Sequence, residues 1–334
     1  MLSAAPESTA SRSRILFWIS ILLAALFLYL AFRGLDWQAF FLIFHNANYV
    51  YLPLIFLWGS SSYLMRAVRW RILLSGEKHI PLSSVFWANM AGYLGNSILP
   101  ARAGEFIRAA YLSKQNDISG SFVFATGLVE RLVDVIALII FGSVSLFMTN
   151  LLFGSMRIAL QTMSAISIFG LLVVILLPRF GTKISRVITV LPMLDASTRS
   201  KLTGFLDQFL QGLEALHHLQ RIVGFILLTA LIWTMDAIGT VFLSRILHLS
   251  ISLKQAFVLL AGLGLSSAIP STPGYVGIYQ FVAVVILEPF GISRTDALAF
   301  ILFSQIMNLL ALVALGIVAL LKNPMRNQPD SDRL

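Results

Sequence analysis

From Ala297 to Leu321 the chain runs without one charged side chain, and Ile15–Phe32 does the same near its start. Runs of this length suit helices that cross a hydrocarbon core about 30 Å thick, where backbone polar groups must bond within their own segment. Hydrophobic residues make up 58% of the 334 and charged residues 12%, and mean hydropathy is +0.86. Soluble domains of this size carry far more charge, so the expected class is an all-α polytopic membrane helix bundle. A transmembrane barrel would alternate every second residue, which these runs do not. Arg12 and Arg14 precede the first run, and its end at Tyr29-Leu30-Ala31-Phe32 lacks a cleavage-site pattern, so it reads as an uncleaved span. The absence of cysteine excludes disulfides, thiolate catalysis and cysteine metal sites.

Two segments break this apolar pattern in the same way. Ser97-Ile98-Leu99-Pro100-Ala101-Arg102-Ala103-Gly104 and Ser267-Ala268-Ile269-Pro270-Ser271-Thr272-Pro273-Gly274 share Ser-x-(Leu/Ile)-Pro-x-x-x-Gly. Proline removes a backbone donor and glycine frees the backbone, so each copy breaks a helix. Paired broken helices in corresponding halves of a chain point to a transporter-like site near the midplane. The expected hinges are Pro100, Gly104, Pro270, Pro273, Gly274 and, just beyond, Gly277.

The pattern predicts about six full spans: Ile15–Phe32, Tyr49–Met65, Ser121–Thr149, Ile158–Leu177, Ile222–Ser244 and Ala297–Leu321. Leu82–Leu99 with Arg102–Leu112, and Ala256–Ile269 with Tyr275–Pro289, form two broken, re-entrant pairs. Reading these four segments as full crossings gives about eight to ten spans with the same parity. One membrane domain thus covers 15–321, with a cytoplasmic segment 1–14 before it and a tail 322–334 after it. Its cytoplasmic connection, 179–220, carries an amphipathic helix from Leu202 to Leu219. Most basic residues then face the cytoplasm, leaving Arg33, Arg157, Arg245, Lys254 and Arg294 outside. Both termini are therefore expected in the cytoplasm. The first broken pair would enter from the cytoplasm and the second from outside, as inverted repeats do. The net charge of +9 sits in short loops beside spans, which fits anionic lipid rather than nucleic acid.

A charge inside an apolar span needs a partner, water or a protonated form. Asp236 is the only formal charge between Arg221 and Arg245. Glu130 and Asp134 share a helix face, with Arg131 turned elsewhere. Those two carboxylates lie either at the cytoplasmic interface or against Arg66, Arg69, Arg102 or Arg108. Arg102, Glu105 and Arg108 recur every third residue just after Pro100. They form either ordinary interfacial charge or a phosphate site, because a guanidinium fork donates two bonds at once. Arg66, Arg69 and Trp70 are expected to snorkel at the interface. No phosphate-binding loop or His-Glu-x-x-His is present, and the histidines are scattered, so no cofactor or metal is expected.

Arg66-x-x-Arg69-Trp70, Asn96-x-x-Leu99-Pro100-x-Arg102-x-Gly104-Glu105-x-x-Arg108 and Glu130-Arg131-x-x-Asp134 resemble the lysylphosphatidylglycerol synthase transmembrane family, also called flippase-like or UPF0104 proteins. Pro270-x-x-Pro273-Gly274-x-x-Gly277 resembles its second signature, which often ends in an acid where this chain has Gln280. The resemblance implies a membrane domain that moves or handles phospholipids or other polar-headed lipids. It also implies a stand-alone member without the synthase domain, hence no enzyme. A separate lipid-modifying enzyme is a possible partner, and the oligomer is left open.

The combined expectation is lipid translocation across a bacterial or archaeal cytoplasmic membrane, through a polar cavity between the broken pairs. Arg66, Arg69, Asn96, Arg102 and Arg108 would bind the headgroup. Glu105, Glu130, Asp134 and Asp236 would balance charge or relay protons. The competing readings are an ion-coupled transporter of a small solute, a non-catalytic membrane scaffold or subunit of a lipid or glycolipid assembly pathway, and an intramembrane enzyme.

Overall fold

The computed structural model describes residues 21–99, 103–149, 195–214, 218–267 and 273–322, with isolated positions between 158 and 186. Segment 1–14, the expected turn at 150–155, most of Ile158–Leu177, the start of the 179–220 connection and the tail beyond 322 lie outside the described residues. So do Pro100, Arg102 and Pro270. Among the described residues the regular elements are all helical.

The chain opens with α1 (Ile21–Phe32), which bends by 88° into α2 (Trp37–His45). Gly34, at φ 77°, makes the turn, and the Asp36 carboxylate accepts the Ala39 amide at 3.0 Å to start α2. This stretch lies between the predicted spans Ile15–Phe32 and Tyr49–Met65. It folds because Phe40 is buried and Phe44 packs on Phe303, with ring centroids 6.1 Å apart. Trp37, Phe41 and Leu42 remain exposed.

The next helix, α3 (Leu52–Leu74), corrects the expected end at Met65. It continues through Arg66, Arg69 and Arg71 instead of breaking into a basic loop. Arg69 and Trp70 are fully buried, so neither snorkels. The terminal nitrogens of Arg69 and the Trp70 ring N–H find partners inside the bundle, which removes the reason to reach the interface.

Beyond it lie α4 (Leu82–Ile98), α5 (Gly104–Asn116), α6 (Gly120–Phe147) and α7 (Ala196–Glu214). The second half holds α8 (Leu219–Ile246), α9 (Leu253–Ser266), α10 (Ile278–Leu287) and α11 (Arg294–Leu321). Side-chain caps mark several starts: Ser119 for α6, Asp195 for α7, Ser252 for α9 and Ser293 for α11.

Among the described residues, α8 and α11 are each long and apolar enough to cross a bilayer, and the bent pair α1–α2 qualifies together. Both long helices present exposed apolar side chains, such as Ile226 and Leu227 on α8 and Leu310 and Ile317 on α11. Outward-facing apolar stripes of this kind suit lipid rather than water. The molecule is an integral membrane helix bundle. The helices α5, α9 and α10 have 13, 14 and 10 residues, short of the roughly 20 a full crossing needs.

These short helices fold back in pairs. Against α5, a Cβ on Gly95 would lie 2.6 Å from Ile107 Cδ1 and 3.0 Å from Gly104 Cα, while one on Gly92 would lie 2.9 Å from Arg108 Cβ. The contacts run antiparallel, so α4 and α5 make a tight hairpin. Likewise Gly262 on α9 admits Val282 and Ile286 of α10. The two hairpins meet where the turn Pro273–Tyr275 lies on α4, with Gly274 close to the Ser97 carbonyl. The copies of the repeated motif are thus neighbours.

The packing also repeats between halves. Helix α3 packs on α8, α5 on α6 as α10 on α11, and α4 on α11 as α9 on α6. Phe141 and Phe257 stack with centroids 4.9 Å apart in the α6–α9 contact.

Gly277 has φ 92°, and a Cβ there would come 2.9 Å from the Ala24 Cα of α1. Gly34 has a comparable φ of 77° with nothing within 4 Å. Both alanine variants carry backbone strain, but only Gly277→Ala adds collision with α1. Gly277→Ala is therefore expected to lose about 1–3 kcal/mol more than Gly34→Ala, read by thermal unfolding in detergent. Equal losses would show that α1 does not rest on this turn.

Candidate functional site: a charge chain beside an amphipathic cavity

Four helices bring eight charged side chains into one alternating series. Asp236 on α8 pairs with Arg66 on α3 and accepts the Ser62 hydroxyl at 2.6 Å. Arg66 Nη1 stands 4.0 Å from Asp134 Oδ2 on α6 and its guanidinium lies over the Trp233 ring. Arg69 forks onto Asp134, at 2.5 and 2.9 Å, and reaches Glu130 at 2.8 Å. Glu130 also accepts Arg108 Nη1 at 3.0 Å, and Arg108 Nε meets Glu105 at 2.7 Å. Glu105 finally accepts Arg131 Nη2 at 3.0 Å and the Asn96 amide at 3.3 Å.

The order is Asp236, Arg66, Asp134, Arg69, Glu130, Arg108, Glu105, Arg131, so each charge has opposite charges as neighbours. Transferring an isolated ion to a low-dielectric interior costs several kcal/mol, which such pairing offsets. Neutral donors, neutral acceptors and rings add to the pairing. Trp233 Nε1 donates to Asp134 at 3.1 Å, Arg69 to Thr229 at 3.2 Å and Arg108 to Asn89 at 3.2 Å. Arg108 lies over Trp70, which itself donates to Thr126.

Beside this chain is a cavity of about 750 Å³. At one end Arg66, Arg131, Asp134 and Asp236 line it, with Tyr63, Tyr93, Asn96 and Asn308. At the other end the wall is apolar, built from residues such as Leu52, Phe56, Leu243 and Leu260. Phe56 on α3 and Leu310 on α11 both line the cavity and are 41% and 57% exposed. The cavity lining therefore reaches the outer surface on both of these helices. Tyr63 donates to the exposed Asn308 at 2.5 Å and ties α3 to α11.

The structure sorts the sequence-derived candidates. It brings Arg66, Asn96, Asp134 and Asp236 to the cavity. Arg69 and Arg108 are 0% and 2% exposed, do not line it, and are each held by two carboxylates. Glu105 and Glu130 belong to the same inner series, and Arg102 lies outside the described residues. Gly104 sits at the hairpin contact, and Gly274 and Gly277 shape the second turn at positive φ. There Gln280 accepts the Gly277 amide at 2.7 Å and donates to Gln305 at 2.5 Å. Gln305 in turn donates to the Gly274 carbonyl at 3.0 Å. The side chain where the resemblance leads one to expect an acid thus braces the turn as an amide.

Sequence reasoning passed over Arg131, Tyr63, Tyr93, Trp233, Gln305 and Asn308. Arg131 carried a usable signal, since a charge in an apolar helix requires a partner. The others are polar groups that only the fold brings together.

The family described as lysylphosphatidylglycerol synthase TM region matches residues 17–316. This chain belongs to that family. Three similar members are UPF0104 membrane proteins of archaea. One from Pyrococcus horikoshii is 23% identical over 301 residues, covering 83% of this chain and 88% of that protein. Two from Methanocaldococcus jannaschii are 24% and 26% identical, covering 67% and 90% of this chain and 91% and 94% of those proteins. No solved structure matches. The matched range includes every member of the charge chain and the whole cavity lining.

The inner and outer members should differ sharply in stability. Arg69→Ala leaves two buried carboxylates short of a cation and is expected to cost about 3–5 kcal/mol. Arg131→Ala, at a side chain 32% exposed, should cost less than half as much. Thermal unfolding of the detergent-solubilised variants compares them, and equal small losses would show that the inner series does not hold the bundle together.

Proposed function

We propose that this protein moves lipids with anionic or polar headgroups across the cytoplasmic membrane of a bacterium or archaeon. The headgroup passes through the cavity while its acyl chains remain in the bilayer. The observation that carries this reading is the cavity's two-ended character. Four charged side chains line one end, and lining residues of α3 and α11 reach the lipid-facing surface. A site for a water-soluble molecule has no need of a lining that reaches lipid.

On this reading Arg66 and Arg131 hold the phosphate, because they are the arginines in the cavity lining among the described residues. Asp134 and Asp236 balance their charge. Arg69, Arg108, Glu105 and Glu130 position the others. The protein is a transporter rather than an enzyme, its partner is the lipid, and a separate enzyme modifies that lipid where modification occurs. The two hairpins are inverted copies: α4–α5 enters from the cytoplasm, α9–α10 from outside, and both termini are cytoplasmic. A small dipolar solute is the second reading, favoured by the equal numbers of acids and bases lining the cavity.

Movement of labelled lipid between leaflets of reconstituted vesicles tests the site. A hydrogen bond to a charged group contributes about 1.5–3 kcal/mol, so Arg131→Ala and Asp236→Asn should each slow movement about tenfold or more. Wild-type rates in both folded variants would sink the assignment. The inverted arrangement has its own check on this cysteine-free background. Ala101→Cys and Ser271→Cys should react with impermeant thiol reagents from opposite faces, and labelling from one face would overturn it.

A further inference from the structure

Among the described residues, the charges lining the cavity are Arg66, Arg131, Asp134 and Asp236, two of each sign. The wall is balanced by itself. A headgroup with one net negative charge would unbalance it, and an unbalanced charge in a low-dielectric wall is far more costly than in water.

The geometry indicates which pair would yield. Arg69 and Arg108 each hold two carboxylates, and Arg131 bonds Glu105 through both Nε and Nη2. Arg66 holds Asp236 directly but stands 4.0 Å from its second acid, Asp134. It is the arginine most readily turned toward a phosphate. Asp236 then keeps only the Ser62 hydroxyl, on a side chain 24% exposed. The groups around it are Tyr63 and Arg66 from α3, Asp134 from α6 through Arg66, and Trp233 on its own helix. Tyr93 from α4, Arg131 from α6, and Gln305 and Asn308 from α11 line the same cavity. Apart from Arg66, the positive charge among these is Arg131, which Glu105 holds through both Nε and Nη2.

We infer that Asp236 is a coupling site for one monovalent cation, so that an anionic headgroup and a proton or sodium ion cross together without net charge. The inference rests on the lipid-transport reading. It adds an energy source to that reading, since a cation gradient would then drive the lipid. A headgroup carrying its own positive charge would need no such ion.

The test uses purified wild-type protein in phosphatidylcholine vesicles containing labelled phosphatidylglycerol or labelled phosphatidylcholine. A tenfold proton gradient, a tenfold sodium gradient or a potassium diffusion potential is imposed. At one-to-one coupling the leaflet ratio of labelled phosphatidylglycerol should shift about tenfold along one of the two cation gradients and ignore the potential. Labelled phosphatidylcholine should move without responding to any of them. In Asp236→Asn, at whatever reduced rate remains, phosphatidylglycerol should lose the gradient response and follow the potential. If that variant does not fold, the wild-type measurements decide alone. Wild-type phosphatidylglycerol that follows the potential, or ignores both gradients, overturns the coupling and leaves lipid movement standing. Movement of neither lipid overturns the transport reading and the coupling with it.

Discussion

Eight charges in alternating order, held where water is scarce, set the terms for this bundle. In such surroundings a single ion is costly and a well-hydrogen-bonded pair is tolerable, so each member depends on its neighbours being in place. The series joins α3, α5, α6 and α8, fixing their register as a purely apolar contact would not. It also explains where side chains are small. Gly127 on α6 lies against the Arg108 guanidinium, and Gly92 lies against its Cβ. A side chain at either position would collide with Arg108. These two glycines therefore serve the charge chain as well as the helix packing.

The two halves share a packing scheme but not a chemistry. In the first half the hairpin carries Glu105 and Arg108, and the helix after it carries Glu130, Arg131 and Asp134. The corresponding helices of the second half carry Gln280 and Gln305, whose amides bond each other and the backbone at Gly277 and Gly274. An amide can donate and accept at once, so it braces a left-handed turn without importing a charge that would need its own partner. The one charge the second half adds to the series is Asp236, delivered across the α3–α8 contact. Trp58 seals that contact by donating to the Met235 carbonyl. The halves are joined electrically at Arg66 and Asp236, beside the cavity.

Long apolar runs and paired breakers were legible in the sequence because they express local physics: helix length, lost donors and freed backbone. Asp236 was legible because a lone acid in an apolar helix demands a partner. The end of α3 was not. Arg66 and Arg69 look alike whether they snorkel or pair, and the deciding partners of Arg69 lie 65 and 61 residues away. The bent helix α2 was hidden for a similar reason, since only its packing on α11 distinguishes it from a loop. The motif spacing around Arg102 and Arg108 suggested one anion-binding row. The structure instead commits Arg108 to Glu105 and Glu130 and places Arg131 at the cavity.

The main barrier to moving a polar lipid is the headgroup's loss of water, not the passage of its tails, which remain in hydrocarbon throughout. A site that lowers this barrier needs polar partners at the depth where water is lost, and a wall the tails need not enter. A cavity of about 750 Å³ has the size of a small-molecule pocket, enough for a headgroup but not for a whole lipid enclosed with its chains. On the proposed reading, the lining that reaches the surface on α3 and α11 resolves that mismatch by leaving the tails outside. Fixed charges suit this task better than mobile ones, because their own desolvation was met during folding, through the pairings that hold the bundle together.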